Sequence, residues 1–210
     1  MKCQKIKNNN LLKKGGKMDR ADIFNLTTIY ELLQKQQEFQ KFLKNPIPNK
    51  IVEFEHIQKA LEHNTYQNIE FQEFMEANNY EKKEELIDYL LFMLNKYIFL
   101  GIFLSDFENG YLEDILWGNE KCSSSASCSC YASIEQYEFI KLLRDHCAFK
   151  PWKIRENTNC AELNYVEDTF KLALEHFRKL AKVTFDSYID LYSCLIKKLL
   201  INVDRQLNNY

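Results

Sequence analysis

The chain has 210 residues, a formal net charge of −2, and only five glycines and three prolines, so long helices with short connections suit it better than a turn-rich β fold. Lys and Arg alternate with Asp and Glu, leaving no broad basic face for a nucleic-acid backbone and excluding general nucleic-acid binding. The length fits one buried core, and the expectation is a single all-α domain.

Residues 1–20 include Lys2, Lys5, Lys7, Lys13, Lys14 and Lys17 but no apolar run of the kind that follows the charges of a secretion signal. They read as a flexible basic tail before a domain spanning 21–210. Leu26, Ile29, Leu33, Phe39 and Leu43 recur at helical spacing, which predicts a helix from Asp22 to Leu43, ended by Asn45-Pro-Ile-Pro-Asn49. Two more helical stretches, Ile51 to Leu61 and Tyr66 to Ala77, flank Asn64, which either breaks them apart or lies inside one helix. After a turn at Asn78-Asn79, Glu81 to Leu104 forms the longest and most apolar helix, placed at the centre of the bundle. Its apolar part, Tyr89 to Leu104, is interrupted by Asn95 and Lys96 and is shorter than the roughly 20 residues that cross a bilayer, so no membrane span is expected.

From about 105 to 165 the periodicity weakens around Asn109-Gly110, Trp117-Gly118 and the Cys/Ser run 122–130, marking a variable insertion with a helix near Ile134 to Asp145. Two closing helices follow, Val166 to Lys182 and Phe185 to Leu200. Seven cysteines, an odd number, without a secretion signal point to reduced thiols and a cytoplasmic protein. Cys122, Cys128, Cys130, His146 and Cys147 could form a zinc site, but their spacing is irregular and no Cys-x-x-Cys pair occurs.

Glu70-Phe-Gln-Glu73 and Glu85-Leu-Ile-Asp88 each put two carboxylates on one helix face. Taken singly, these are the glutamates of any solvated helix. Asp88, set among Leu86, Ile87, Leu90, Leu91 and Phe92, is harder to explain that way. If the two helices are antiparallel across the Asn78-Asn79 turn, four carboxylates converge, and a divalent cation would relieve their repulsion. All-oxygen ligands without His or Cys select Mg²⁺, or Mn²⁺, over Zn²⁺, and Mg²⁺ binds substrate phosphates. Di-iron bundles use Glu-x-x-His motifs, which are absent.

The C-terminal segment Lys198-Leu-Leu-Ile-Asn202-Val-Asp-Arg205-Gln206-Leu-Asn-Asn209-Tyr210 puts Lys198, Asn202 and Arg205 on one helical face. It resembles the motif Lys-Asn-x-x-Asn-x-x-Arg-Gln-x-x-Gly-Tyr of the dimeric dUTPases, an all-α family related to the MazG-type pyrophosphatases. That family's metal motif is similar to Glu70, Glu73, Glu85 and Asp88, with Phe92 following. Its N-terminal helix carries a base-contacting glutamine between apolar residues, a place that Gln36 fits between Leu33 and Phe39, with Gln34 and Gln37 one register step away. Leu199, Asn209 and Leu91 depart from the family pattern. The span between the acidic motifs is short and lacks the family's Trp- and Lys-bearing segment; Trp117 and Trp152 are the only tryptophans.

The resemblance implies a helical bundle of the dimeric dUTPase or MazG-like type, a homodimer, and Mg²⁺-dependent hydrolysis of dUTP to dUMP and diphosphate. It implies Glu70, Glu73, Glu85 and Asp88 as metal ligands, with Glu73 also orienting or deprotonating the attacking water. Lys198, Asn202 and Arg205 would bind phosphates, and Gln36, Gln206 and Tyr210 would contact substrate. The missing Trp/Lys segment leaves room for a MazG-like diphosphatase of other or broader specificity. The departures from pattern leave room for a degenerate nucleotide-binding homologue.

Overall fold

The computed structural model describes Ile23 and residues 25–105, 107–118, 128–145 and 163–208. The basic tail, Trp152 and most of the cysteine-rich stretch lie outside the described residues, as do His146 and Cys147. Among the described residues the fold is all-helical: α1 (Ile29–Phe42), α2 (Phe54–Glu76), α3 (Glu81–Phe99), α4 (Leu112–Leu116), α5 (Cys128–Asp145), α6 (Leu163–Thr184) and α7 (Tyr188–Leu207). No helix among them is long and apolar enough to cross a membrane.

The first long helix starts later than its apolar spacing predicts, and the cause is local. Thr28 Oγ1 accepts from the Glu31 N–H at 3.2 Å, while Glu31 Oε2 accepts from the N–H groups of Thr27 at 2.7 Å and Thr28 at 3.0 Å. This capping box fixes the N-terminus of α1 at Thr28. The preceding backbone is extended: the Leu112 N–H donates to Thr27 O at 2.9 Å and the Ile29 N–H to Gly110 O at 3.0 Å, tying α1 to the start of α4.

The two helical stretches flanking Asn64 are one continuous helix, α2. Asn64 does not break it because its amide is buried, with Oδ1 accepting from Lys96 Nζ at 3.3 Å. The turn at Asn78-Asn79 is present, and Asn78 Oδ1 caps α3 by accepting from the Tyr80 and Glu81 N–H groups at 3.0 and 3.2 Å. Helix α3 ends at Phe99 rather than Leu104. Gly101 adopts φ +80, and a Cβ there would stand 2.8 Å from Val52 Cγ2, so a tight glycine turn into a short 3₁₀ segment replaces the last helical turn.

α2 and α3 form an antiparallel hairpin, and α3 also touches α1, α6 and α7, which places it at the centre. Its Leu86, Leu90, Met93, Leu94, Tyr97 and Ile98 are buried against Leu32 and Leu33 of α1, Phe170 and Phe177 of α6, and Leu195 and Leu199 of α7. The region read as an insertion joins this core through Leu112, Leu116, Phe139, Leu142 and Leu143. Helix α5 is further held by a fully buried ion pair between Lys96 and Glu135, which are 0% and 2% exposed. Gln67 Nε2 donates to Glu135 Oε2 at 3.1 Å and the Tyr97 hydroxyl to Oε1 at 3.3 Å. The Lys96 ammonium also lies 4.3 Å from the centre of the Phe139 ring.

Candidate active site

The polar positions of α3 follow its helical period. Glu85, Asp88 and Asn95 are three and seven residues apart, a stripe on one face of the helix opposite its buried Leu86, Leu90, Met93 and Leu94. The hairpin sets Glu70 of α2 opposite this stripe, and carboxylate oxygens of Glu70, Glu85 and Asp88 lie within 4.8 Å of one another. Glu73 is exposed at the margin of this cluster, close enough for its charge to act on both Glu70 and Glu85.

Burial, then the charges of Asp88 and Glu73 and the contact with Glu85, pushes the Glu70 carboxyl up to about 8. Burial also raises Glu85 and Asp88; for Asp88 the hydrogen bond and charge of Lys198 and the charge of Arg205 act the other way. Lys198, from the middle of α7, makes an ion pair with Asp88 Oδ2. The site is therefore an anionic cluster only partly neutralised by its own cations.

A cavity of about 610 Å³ opens beside the cluster and is bounded by four helices. Glu70 and Asp88 line it together with Lys198, Asn202 and Arg205 of α7 and Gln36 of α1. Glu85 and Glu73 are not on its wall. Phe39, Tyr66 and Phe92 supply an aromatic lining, with the Tyr66 and Phe92 rings 5.3 Å apart. His63, also on the wall, uses Nδ1 to donate to Lys59 O at 2.9 Å, and burial lowers its affinity for a second proton.

Of the three neighbouring glutamines, Gln34 is exposed and Gln37 Oε1 accepts from Lys41 Nζ at 2.9 Å, whereas Gln36 is 1% exposed and its Nε2 has no partner among the described residues. The Gln206 side chain and Tyr210 lie outside the described residues. Trp117 is not on the cavity wall: it is half-buried under the Lys182 ammonium, 4.2 Å from its ring centre, and Lys182 also donates to Gly118 O at 2.8 Å.

Asn95 was read from sequence only as an interruption of an apolar run. Its amide lines the same cavity, is 4% exposed, and leaves Oδ1 without a partner among the described residues. The signal that could have found it is its seven-residue spacing from Asp88.

The donors fit a hard divalent cation. They are oxygens only, and Glu70, held up first by burial and then by the charges of Asp88 and Glu73, is a carboxyl whose ionised form a bound cation would favour. A second group with ligand spacing, Glu53, Glu55 and His56, begins α2, but His56 Nδ1 already accepts from the Glu53 N–H at 2.8 Å and serves the helix end. A larger cavity of about 880 Å³ near the α2–α3 turn is lined by Lys82, Lys83 and Lys197 with Glu84, Asp186 and Asp190, and Lys83 is committed to Asp186 and Asp190 at 3.1 and 2.7 Å. Comparison of the chain with family models, curated proteins and solved structures returns no match.

Proposed function

We propose that the chain is a Mg²⁺-dependent nucleoside triphosphate diphosphatase, with dUTP as substrate and dUMP and diphosphate as products. The observation that carries this reading is the convergence on one cavity of carboxylates from α2 and α3, cations and an amide from α7, and a buried amide and aromatic rings from α1 to α3. These groups match the parts of a metal-bound nucleotide: an ion site, a phosphate site and a flat polar-edged pocket.

Glu70, Glu85 and Asp88 would hold the metal with Glu73 at their margin. The ion supplies neutralisation of the polyphosphate and the Lewis acidity that makes phosphorus open to attack. Glu73, exposed beside the cluster, would take a proton from water at its carboxylate oxygen. Lys198 is shared between Asp88 and an incoming phosphate, while Arg205, exposed on the cavity wall, and buried Asn202 supply donors to phosphate oxygens. The resemblance of these residues to the dimeric dUTPase motifs supports a homodimer and the dUTP assignment.

A MazG-like diphosphatase of other or broader specificity is the second reading, favoured by a cavity wall on which no tryptophan lies among the described residues. Purified protein incubated with Mg²⁺ and, separately, dUTP, dCTP, dTTP, dATP, dGTP and UTP, with an EDTA control, tests both. Selective release of dUMP and diphosphate supports the first, turnover of several nucleotides supports the second, and no Mg²⁺-dependent turnover defeats both.

A further inference from the structure

Two primary amides are buried in the cavity wall with polar atoms that nothing in the described protein satisfies: Gln36 Nε2 on α1 and Asn95 Oδ1 on α3. Buried amide atoms in folded proteins nearly always have a partner, because stripping them of water is costly. Phe39, Leu91, Phe92 and Tyr66 share the wall with them, and of the polar groups beside these, Gln40 Oε1 already accepts from Asn45 Nδ2 and His63 Nδ1 already donates to Lys59 O. An acceptor oxygen such as Asn95 Oδ1 needs a donor, which an ionised phosphate does not offer. Asn95 also stands two turns along α3 from Asp88, about 10 Å by helix rise, the sense of separation a sugar imposes between phosphates and base.

We propose that Asn95 is a specificity-determining residue that reads the nucleobase together with Gln36. Asn95 Oδ1 accepts from a ring N–H or exocyclic amine of the base, and Gln36 Nε2 donates to the neighbouring carbonyl or ring nitrogen. The adjacent N3–H and C4 carbonyl of uracil have this pattern, and the aromatic wall receives the ring face. This assignment rests on the nucleotide reading of the cavity and adds to it a residue that discriminates among bases.

The test is Asn95→Leu, close in size, with Asn95→Ala as a second variant that adds no bulk. Each is assayed beside wild type for kcat/KM on the six nucleotides, for melting temperature, and for binding of free deoxynucleosides in EDTA. Because Oδ1 has no protein partner, both variants should melt no lower than ordinary core substitutions. The kcat/KM for dUTP should fall about 30-fold or more, with UTP and dTTP, which share its N3–H and C4 carbonyl edge, falling alongside it, while dATP, dGTP and dCTP change by less than about threefold, so that discrimination among base edges collapses. Equal losses on every nucleotide, or unchanged discrimination, overturns the role of Asn95 and leaves the diphosphatase reading standing. A wild type that cleaves nothing but binds a deoxynucleoside, with binding lost in both variants, upholds the base pocket and removes the diphosphatase reading. Neither turnover nor binding in wild type overturns both.

Discussion

In metal-free buffer, raising the pH from 5 to 9 should destabilise the protein through Glu70. Its carboxyl lies at about 8 in the fold against 4.5 for an ordinary glutamate. Between those values the folded state keeps a proton that the unfolded chain releases, so stability is fullest below the lower value and is lost as pH rises towards the upper one. The full distance between them sets a ceiling of about 5 kcal/mol. Glu70 is only half-buried, so solvent screening reduces this to about 1–2 kcal/mol. For a chain of this size that is a loss of about 3–6 °C in melting temperature. Melting curves at half-unit pH steps in EDTA would show the slope. Glu70→Gln, which cannot ionise, should flatten it, and Mg²⁺ at pH 8 should raise the melting temperature of wild type more than that of Glu70→Gln. If wild type and Glu70→Gln have the same pH profile in EDTA, the burial and crowding that hold the Glu70 proton are not real, and the physical reason for placing a cation there goes with them.

Glu73→Ala should lower Mg²⁺-dependent turnover at least about a hundredfold while leaving the melting temperature within about 2 °C, because the residue is exposed; near wild-type turnover would remove it from the mechanism. Lys96→Met should destabilise by about 3–5 kcal/mol in urea titration by leaving Glu135 buried and unpaired, and adding Glu135→Gln should restore at least half of that. Gly101→Ala should cost about 2 kcal/mol or more, since φ is +80 and the new methyl would meet Val52 at 2.8 Å; an unchanged urea midpoint would refute the strained turn.

What could be read in advance follows from the range of each interaction. Helix existence depends on periodicity within a few turns: the expected α1, α2, α3, α5, α6 and α7 are present, with α5 beginning earlier than Ile134, whereas the five-residue α4 is too short to show a period and was not expected. Helix ends depend on caps: Thr28 and Glu31 shorten α1, and Gly101 shortens α3, through contacts that hydrophobic spacing does not register. Asn64 could not be assigned from its own neighbourhood because the group that pairs with it, Lys96, lies 32 residues away on another helix. For the same reason the 105–165 region read as an appendage, although Phe139 and Leu142 are core residues and Glu135 completes an ion pair. The carboxylates were legible because two short i, i+3 pairs flank a single turn, so a hairpin alone brings Glu70, Glu85 and Asp88 together. Asn95 was not, because only burial without a partner separates a cavity-facing amide from a chance polar interruption.

The central position of α3 joins stability to the candidate chemistry. One face of the helix, through Leu86, Leu90, Met93 and Leu94, is locked against its neighbours, and the opposite stripe carries Glu85, Asp88 and Asn95. A helix packed in this way cannot rotate to separate its carboxylates, so their repulsion is relieved by a proton on Glu70 or by cations rather than by movement. Lys198 of α7 serves this purpose at Asp88 within the fold. A divalent ion would serve it more completely, leaving the Lys198 ammonium to a phosphate on the same wall. On this view the carboxylates gathered at the cavity and its unpartnered buried amides are a cost to the fold that a bound anionic ligand with its cation would reduce. Adding a nonhydrolysable nucleotide triphosphate with Mg²⁺ should therefore raise the melting temperature by more than either alone, and simple additivity would argue against a shared site.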